Sequence, residues 1–186
     1  MTQHIPNVRK TAYFELKTLS LCRCHETLVC SFVLSTLEYC NTLLTGSPKY
    51  LFRKLQKIQN IAARIIFRSL TFDHVSPHLH AFHWLPLHQR ISRTNSSICF
   101  SSVAGTGPRY LADILMIYLP SRQLRSSPDT RLFPIPSLNT KSTGHRHFAC
   151  QSPTVWNKRL HNIRYALSID SSKTAIRTEL FRQQDL

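Results

Sequence analysis

The stretch SPKYLFRKLQKIQNIAARIIFR, Ser47 to Arg68, admits one regular structure. Leu51, Leu55, Ile58, Ala62, Ile65 and Ile66 recur at the three- and four-residue spacing of a helix and fall on one side of it. Arg53, Lys57, Arg64 and Arg68 lie within about 60° of each other on the opposite side. Such a segment must bury one face and leave the other in water. Its start is marked by Ser47, expected to cap free amides, and by Pro48, whose missing N–H costs nothing in a first turn.

The preceding HETLVCSFVLSTLEYCNTLL reads as a partner helix. Leu28, Phe32, Val33, Leu37, Cys40 and Leu44 form its apolar stripe, and Gly46 stops it. A helical hairpin from Leu28 to Phe67 follows, with Leu55 and Ala62 set against Leu37 and Phe32. Periodicity is dense from about Thr18 to Ile91, whereas most of the Ser, Pro and Gly lies in Ser92 to Thr154. The expected architecture is therefore all-α: a helical domain over 1–91 and a looser, loop-rich tail with short helices over 92–186.

Within the first part, SPHLHAFHWLP opens at Ser76 and Pro77 and closes at Pro86, which leaves room for two helical turns at most. Trp84 and Leu85 should plug the core. HQRI begins a weaker helix. Further on, the Gly105–Gly107 pair is a turn and not a phosphate loop, since Pro108 follows and no Lys-Ser/Thr pair completes it. Tyr110 to Tyr118 has short helical periodicity, RLFPIP reads as an extended piece, and a last amphipathic stretch carries Trp156, Leu160 and Ile163.

Charge narrows the function. Against 9 Asp and Glu stand 24 Lys and Arg, a net charge of +15, and a field of that sign attracts polyanions. Nucleic acid is favoured over a membrane, because no window approaches the ~18 apolar residues of a spanning helix. The first 20 residues lack the apolar core of a signal peptide, so the expectation is an uncleaved chain in the nucleus or cytoplasm, not a secreted one. Its six cysteines then read as reduced thiols, mostly in the core. Five histidines crowd FDHVSPHLHAFHWLPLH, but Cys22 and Cys24 are one residue apart where zinc modules use two to four, and no metal or other cofactor is assigned.

Between Glu38 and Asp73 there is no carboxylate, so the cations of the amphipathic helix lack the usual i,i+4 acidic partners. The residues expected to contact nucleic acid are Arg53, Lys54, Lys57, Arg64 and Arg68 on this helix, with Arg122 and Arg125 in the basic loop PSRQLRSS. A merely solvated face is the alternative. Catalytic constellations are missing: the nine acids are scattered, with no carboxylate pair for acid–base work and no Gly-x-Ser-x-Gly elbow.

FVLSTLEYCNTLLTGSPKYLFRKLQKIQNIAARII, followed by FDHVSPHLHAFHWLPLHQRI, resembles the C-terminal part of the reverse transcriptase polyprotein of LINE-type, non-LTR retrotransposons, downstream of the palm. GPRYLADIL, LPSRQLRSS, FACQSPTVWNKRLHNIR and TELF resemble the same tail in the same order, so the blocks run across most of residues 5 to 181. The resemblance implies a thumb-like helical region and post-thumb tail, which in such elements grip template and primer while the palm does the chemistry. Palm and endonuclease are absent, as is the paired-Asp motif that would hold two Mg²⁺. SRTNSSICFSSVAGT departs from the family's long apolar helix, as would a decaying copy translated from an internal Met1. The expected function is sequence-tolerant binding of RNA, DNA or their hybrid without catalysis. The alternatives are a helical module docking on another protein, such as a related polymerase palm, or a translated retroelement relic with no selected function.

Overall fold

A computed structural model describes residues 4–21, 26–39, 41–70, 72–115, 117, 131–136 and 148–183. Among them every regular element is helical and none is a strand, so the all-α expectation holds. The chain divides into two compact units, 1–91 and 92–186.

The first unit is organised around α4, Lys49–Phe67, whose Leu55, Ile58, Ala62 and Ala63 are buried, as its periodicity demands. Its start differs from the expectation. Pro48, in extended backbone at φ −59° and ψ 145°, occupies the N-cap, and Ser47 makes no capping bond. Proline's fixed φ suits that extended conformation, so it sits one residue earlier than the first turn.

The partner segment is not one continuous helix. It consists of α2 (Glu26–Val29), a π-helical turn (Cys30–Leu34), α3 (Ser35–Glu38) and, beyond the break at Tyr39, a 3₁₀ turn at Asn41–Leu44. A π turn takes more residues per revolution, which rotates the following side chains relative to an ideal helix. The buried set is Val29, Val33, Leu34 and Leu37, while Phe32 is 51% exposed and Leu28 43%. The expected contact of Phe32 with α4 is replaced by that of its neighbour Val33. Cys40 lies outside the described residues, and Gly46 turns the chain at φ 73°.

A further helix completes this core. In α1 (His4–Leu21), Ile5, Ala12 and Leu16 are buried, and α4 packs on α1 more extensively than on the π-helical arm. The ordered region thus begins well before Thr18.

After α4, α5 (Ser76–Ala81) is the short, proline-started helix expected, and Trp84 and Leu85 are buried behind it. Here α4 contributes polar side chains too. Gln59, fully buried, donates to the Leu85 carbonyl at 3.0 Å, and the Gln56 side-chain oxygen accepts the Leu87 N–H at 2.8 Å. These two bonds satisfy backbone groups on either side of Pro86, which would be costly to bury unpaired.

HQRI lies in α6, Leu87–Val103, a full-length helix whose residues from Ser92 onward open the second unit. That unit adds α7 (Arg109–Ile114), α8 (Phe148–Asn157), α9 (His161–Arg164) and α10 (Ile169–Arg182). Gly105 and Gly107 do form a turn: both Thr106 and Gly107 N–H groups fold back on the Ser101 carbonyl, and Gly105 takes φ 70°. The described tail residues are more helical than loop-rich. Trp156 is fully buried against Phe100 and Phe133, while Leu160, expected beside it, is exposed. The 131–136 segment has no regular structure and is pinned by Asn157, which accepts the Phe133 N–H at 3.1 Å and donates to its carbonyl at 2.8 Å.

Two of the serines that break the apolar pattern of α6, Ser92 and Ser96, have a physical account. Arg159 enters the core, its Nε donating to Ser96 Oγ at 2.9 Å and its guanidinium also reaching Ser92 Oγ and Glu179. Two small hydroxyls therefore sit where an apolar side chain would leave the guanidinium unmet.

Cys99 and Cys150 are buried free thiols, and the other four cysteines carry no described side-chain placement. Burial pushes the Cys99 thiol up from 9.0 to about 12. The protonated form is the one favoured by the fold, so this contribution is complete below pH 9 and disappears as pH rises from about 9 toward about 12. Iodoacetamide at pH 8 should leave Cys99 unmodified in the native protein and alkylate it in denaturant, as read by peptide mass spectrometry. Native alkylation would contradict this burial.

Candidate nucleic-acid interface

The side of α4 turned away from the core carries Lys49, Arg53, Lys54 and Lys57, all exposed. Lys54 lies over the ring of Tyr50 at 5.5 Å, which keeps an aromatic face on the same surface. Lys49 was not among the residues assigned from sequence, yet it stands one helical turn before Arg53 and shares its face. A 19-residue helix is about 28 Å long. That length spans roughly eight nucleotide steps of 3.4 Å.

The two arginines at the far end behave differently from the rest. Arg64 is half-buried, its Nη2 donates to the Asp73 carbonyl at 3.1 Å, and its Nε is enclosed without a hydrogen-bond partner. It is spent on holding the turn after α4. Arg68 is exposed and forms the C-cap in left-handed backbone, φ 51° and ψ 33°, with Ser69 N–H closing on the Arg64 carbonyl at 3.2 Å. A non-glycine residue there costs roughly 1 kcal/mol. The expected row of Arg53, Lys57, Arg64 and Arg68 thus keeps Arg53, Lys57 and Arg68 for a ligand, with Lys54 beside them. Arg122 and Arg125 lie outside the described residues.

The acids described in the first unit are engaged elsewhere. Glu38 binds Arg90, and the Asp73 carboxylate accepts the Leu70 N–H at 2.8 Å. Between α1 and α3, Thr36 Oγ1 lies 3.2 and 3.3 Å from the two oxygens of Glu15, whose burial raises its pKa above the usual range while that hydroxyl lowers it. The shallow cavity nearby, about 470 Å³ and lined by Asn7, Val8, Thr11, Ser35, Thr36 and Tyr39, presents hydroxyls and amides without an acid–base pair.

Of the crowded histidines, His74, His80, His83 and His88 are exposed, and His78 stacks on Phe67 at 4.3 Å. Trp84 is buried against Phe82 and has no face free for a base. Among the described residues, no three His, Cys, Asp or Glu side chains converge in a metal-binding group. None of the described helices is long and apolar enough to cross a membrane. Comparison of the chain with family models, with curated proteins and with solved structures returns no match.

Proposed function

We propose that this chain binds nucleic acid through the exposed face of α4 by contacts to the phosphate backbone, with little dependence on base sequence and without a catalytic step of its own. The observation that carries the proposal is the row of Lys49, Arg53, Lys54 and Lys57, solvent-facing on a helix anchored by a buried opposite side. Rigid presentation matters, because a fixed row of cations releases counterions from a polyphosphate without first having to be ordered. The resemblance to the thumb and post-thumb tail of LINE-type reverse transcriptases supports the same reading and favours RNA, DNA or their hybrid as ligand, in the nucleus or cytoplasm.

The test is salt dependence. With four phosphates neutralised, the log–log slope of binding constant against salt is roughly −3.6 from this face. Replacing Lys49, Arg53, Lys54 and Lys57 by Gln keeps helix propensity nearly unchanged and removes the charge. The slope should flatten by roughly 3 to 4 and binding should weaken for every sequence tested. Arg64 is left in place because it supports the fold. An unaltered slope with intact circular dichroism would mean that the row is only solvated. A protein-docking role would then gain ground, since Phe14, Leu28 and Phe32 leave apolar surface exposed on the same unit.

A further inference from the structure

The turn that follows α4 presents two apolar side chains to water: Leu70 is 73% exposed and Phe72 is 96% exposed. The turn is not slack. Asp73 Oδ2 accepts the Leu70 N–H at 2.8 Å, the Asp73 N–H reaches the Leu70 carbonyl at 3.2 Å, and Arg64 Nη2 holds the Asp73 carbonyl at 3.1 Å. A partly buried arginine and an aspartate are thus committed to fixing a loop whose most apolar residues point outward. A ring so placed forgoes the gain of burial. It remains a flat apolar face four residues after the exposed Arg68, at the end of the helix that carries the basic row.

We propose that Phe72 is a base-stacking residue, and that the preferred ligand of this surface is a nucleic acid with unpaired bases, either a single strand or the junction of a duplex with one. The proposal rests on the assignment of α4 as a phosphate-binding face and adds to it which form of nucleic acid is held. Cations along a helix track the backbone, and an exposed aromatic ring at the end of the track takes a base that has left its stack. Every base has a π face, so such stacking tolerates any sequence. In a closed duplex the bases are already stacked on each other, and Phe72 gains nothing from it. An anionic lipid surface fits less well: one Phe and one Leu offer little apolar area for insertion, and the Asp73 carboxylate lies between them and the next residues.

Fluorescence anisotropy with three labelled probes tests this: a blunt duplex, a single strand of the same length, and a duplex with a single-stranded overhang. Phe72→Ala should weaken binding of the strand and overhang probes on the order of ten- to a hundredfold, leave the duplex within about twofold, and leave the salt slope unchanged. Phe72→Trp should restore the loss. Because the side chain is almost fully exposed, circular dichroism should be that of the parent in both variants.

If the parent binds all three probes with the expected salt slope and Phe72→Ala changes none of them, or changes them equally, stacking is overturned while the phosphate-binding role of α4 stands. If the parent binds no probe, both fall together. If Phe72→Ala instead removes binding to vesicles of phosphatidylserine and phosphatidylcholine, or dissociates a dimer in sedimentation, and leaves the probes alone, the turn serves a different partner and stacking is again overturned.

Discussion

Leu55→Asp should cost on the order of 3 to 5 kcal/mol and remove most of the cooperative unfolding of the first unit. Leu55 is 1% exposed, in the middle of α4 and enclosed by the cluster that includes Val33, Leu37, Ile58 and Ala62. A carboxylate there has no cation or buried donor assigned to it, so it must either stay charged in an apolar site or take up a proton. Both options are expensive. Two residues earlier on the same helix, Arg53→Asp should change stability by no more than about 0.5 kcal/mol, because Arg53 is exposed. The pair separates burial from the cost of placing Asp in this helix, and the control carries the larger change in net charge. Trp84, buried in this unit, reports the transition by fluorescence, alongside helical circular dichroism. A Leu55→Asp protein that melts like its parent would show that the apolar stripe is not core.

The second large effect belongs to the ion pair within the tail. Arg159 and Glu179 have side chains 6% and 11% exposed, with Arg159 Nη1 at 3.3 Å from Glu179 Oε2. Glu179→Ala leaves a buried guanidinium bonded only to serine hydroxyls, and removing one partner of such a pair typically costs about 3 to 5 kcal/mol. Replacing both, as Arg159→Met with Glu179→Leu, removes both charges and should recover part of that loss. Recovery should stop roughly 1 to 3 kcal/mol short of the parent, because the buried Ser96 hydroxyl loses the guanidinium it met. Trp156 reports on this unit, and Trp84→Phe in the background removes the signal of the other tryptophan. If Glu179→Ala unfolds at the parent's denaturant midpoint, the pair contributes nothing and the serines of α6 need another explanation.

Those serines also show how residue pattern and packing divide the information. Read in one dimension, SRTNSSICFSSV departs from the apolar helix that the resemblance implies, with Ser and Asn at positions that ought to be buried. In three dimensions Ser92 and Ser96 are partners of an arginine more than sixty residues later, and no local pattern carries that pairing. The segment around the π turn at Cys30–Leu34 is a similar case: of Phe32 and Val33, both on the expected apolar stripe, only Val33 is buried, and no propensity distinguishes the two. For α1 the signal was present but faint. Ile5, Ala12 and Leu16 keep helical spacing, diluted by polar neighbours such as Asn7, Lys10 and Thr11, so only packing on α4 reveals the stripe.

By itself the sequence determined the all-α class, the length and orientation of α4, the turn at Gly105, and the cationic row at Arg53, Lys54 and Lys57. All follow from spacing along a single segment, where helix geometry alone fixes which side chains share a face. Tertiary structure decided which of those cations remain available. Arg64 has the spacing of a surface residue, yet its guanidinium is drawn onto the Asp73 carbonyl, nine residues away, whereas Arg68, a left-handed cap by its backbone, keeps its side chain exposed. The same turn leaves Phe72 in water. Where the chain reverses after a helix, backbone closure sets the direction of each side chain, and periodicity no longer applies.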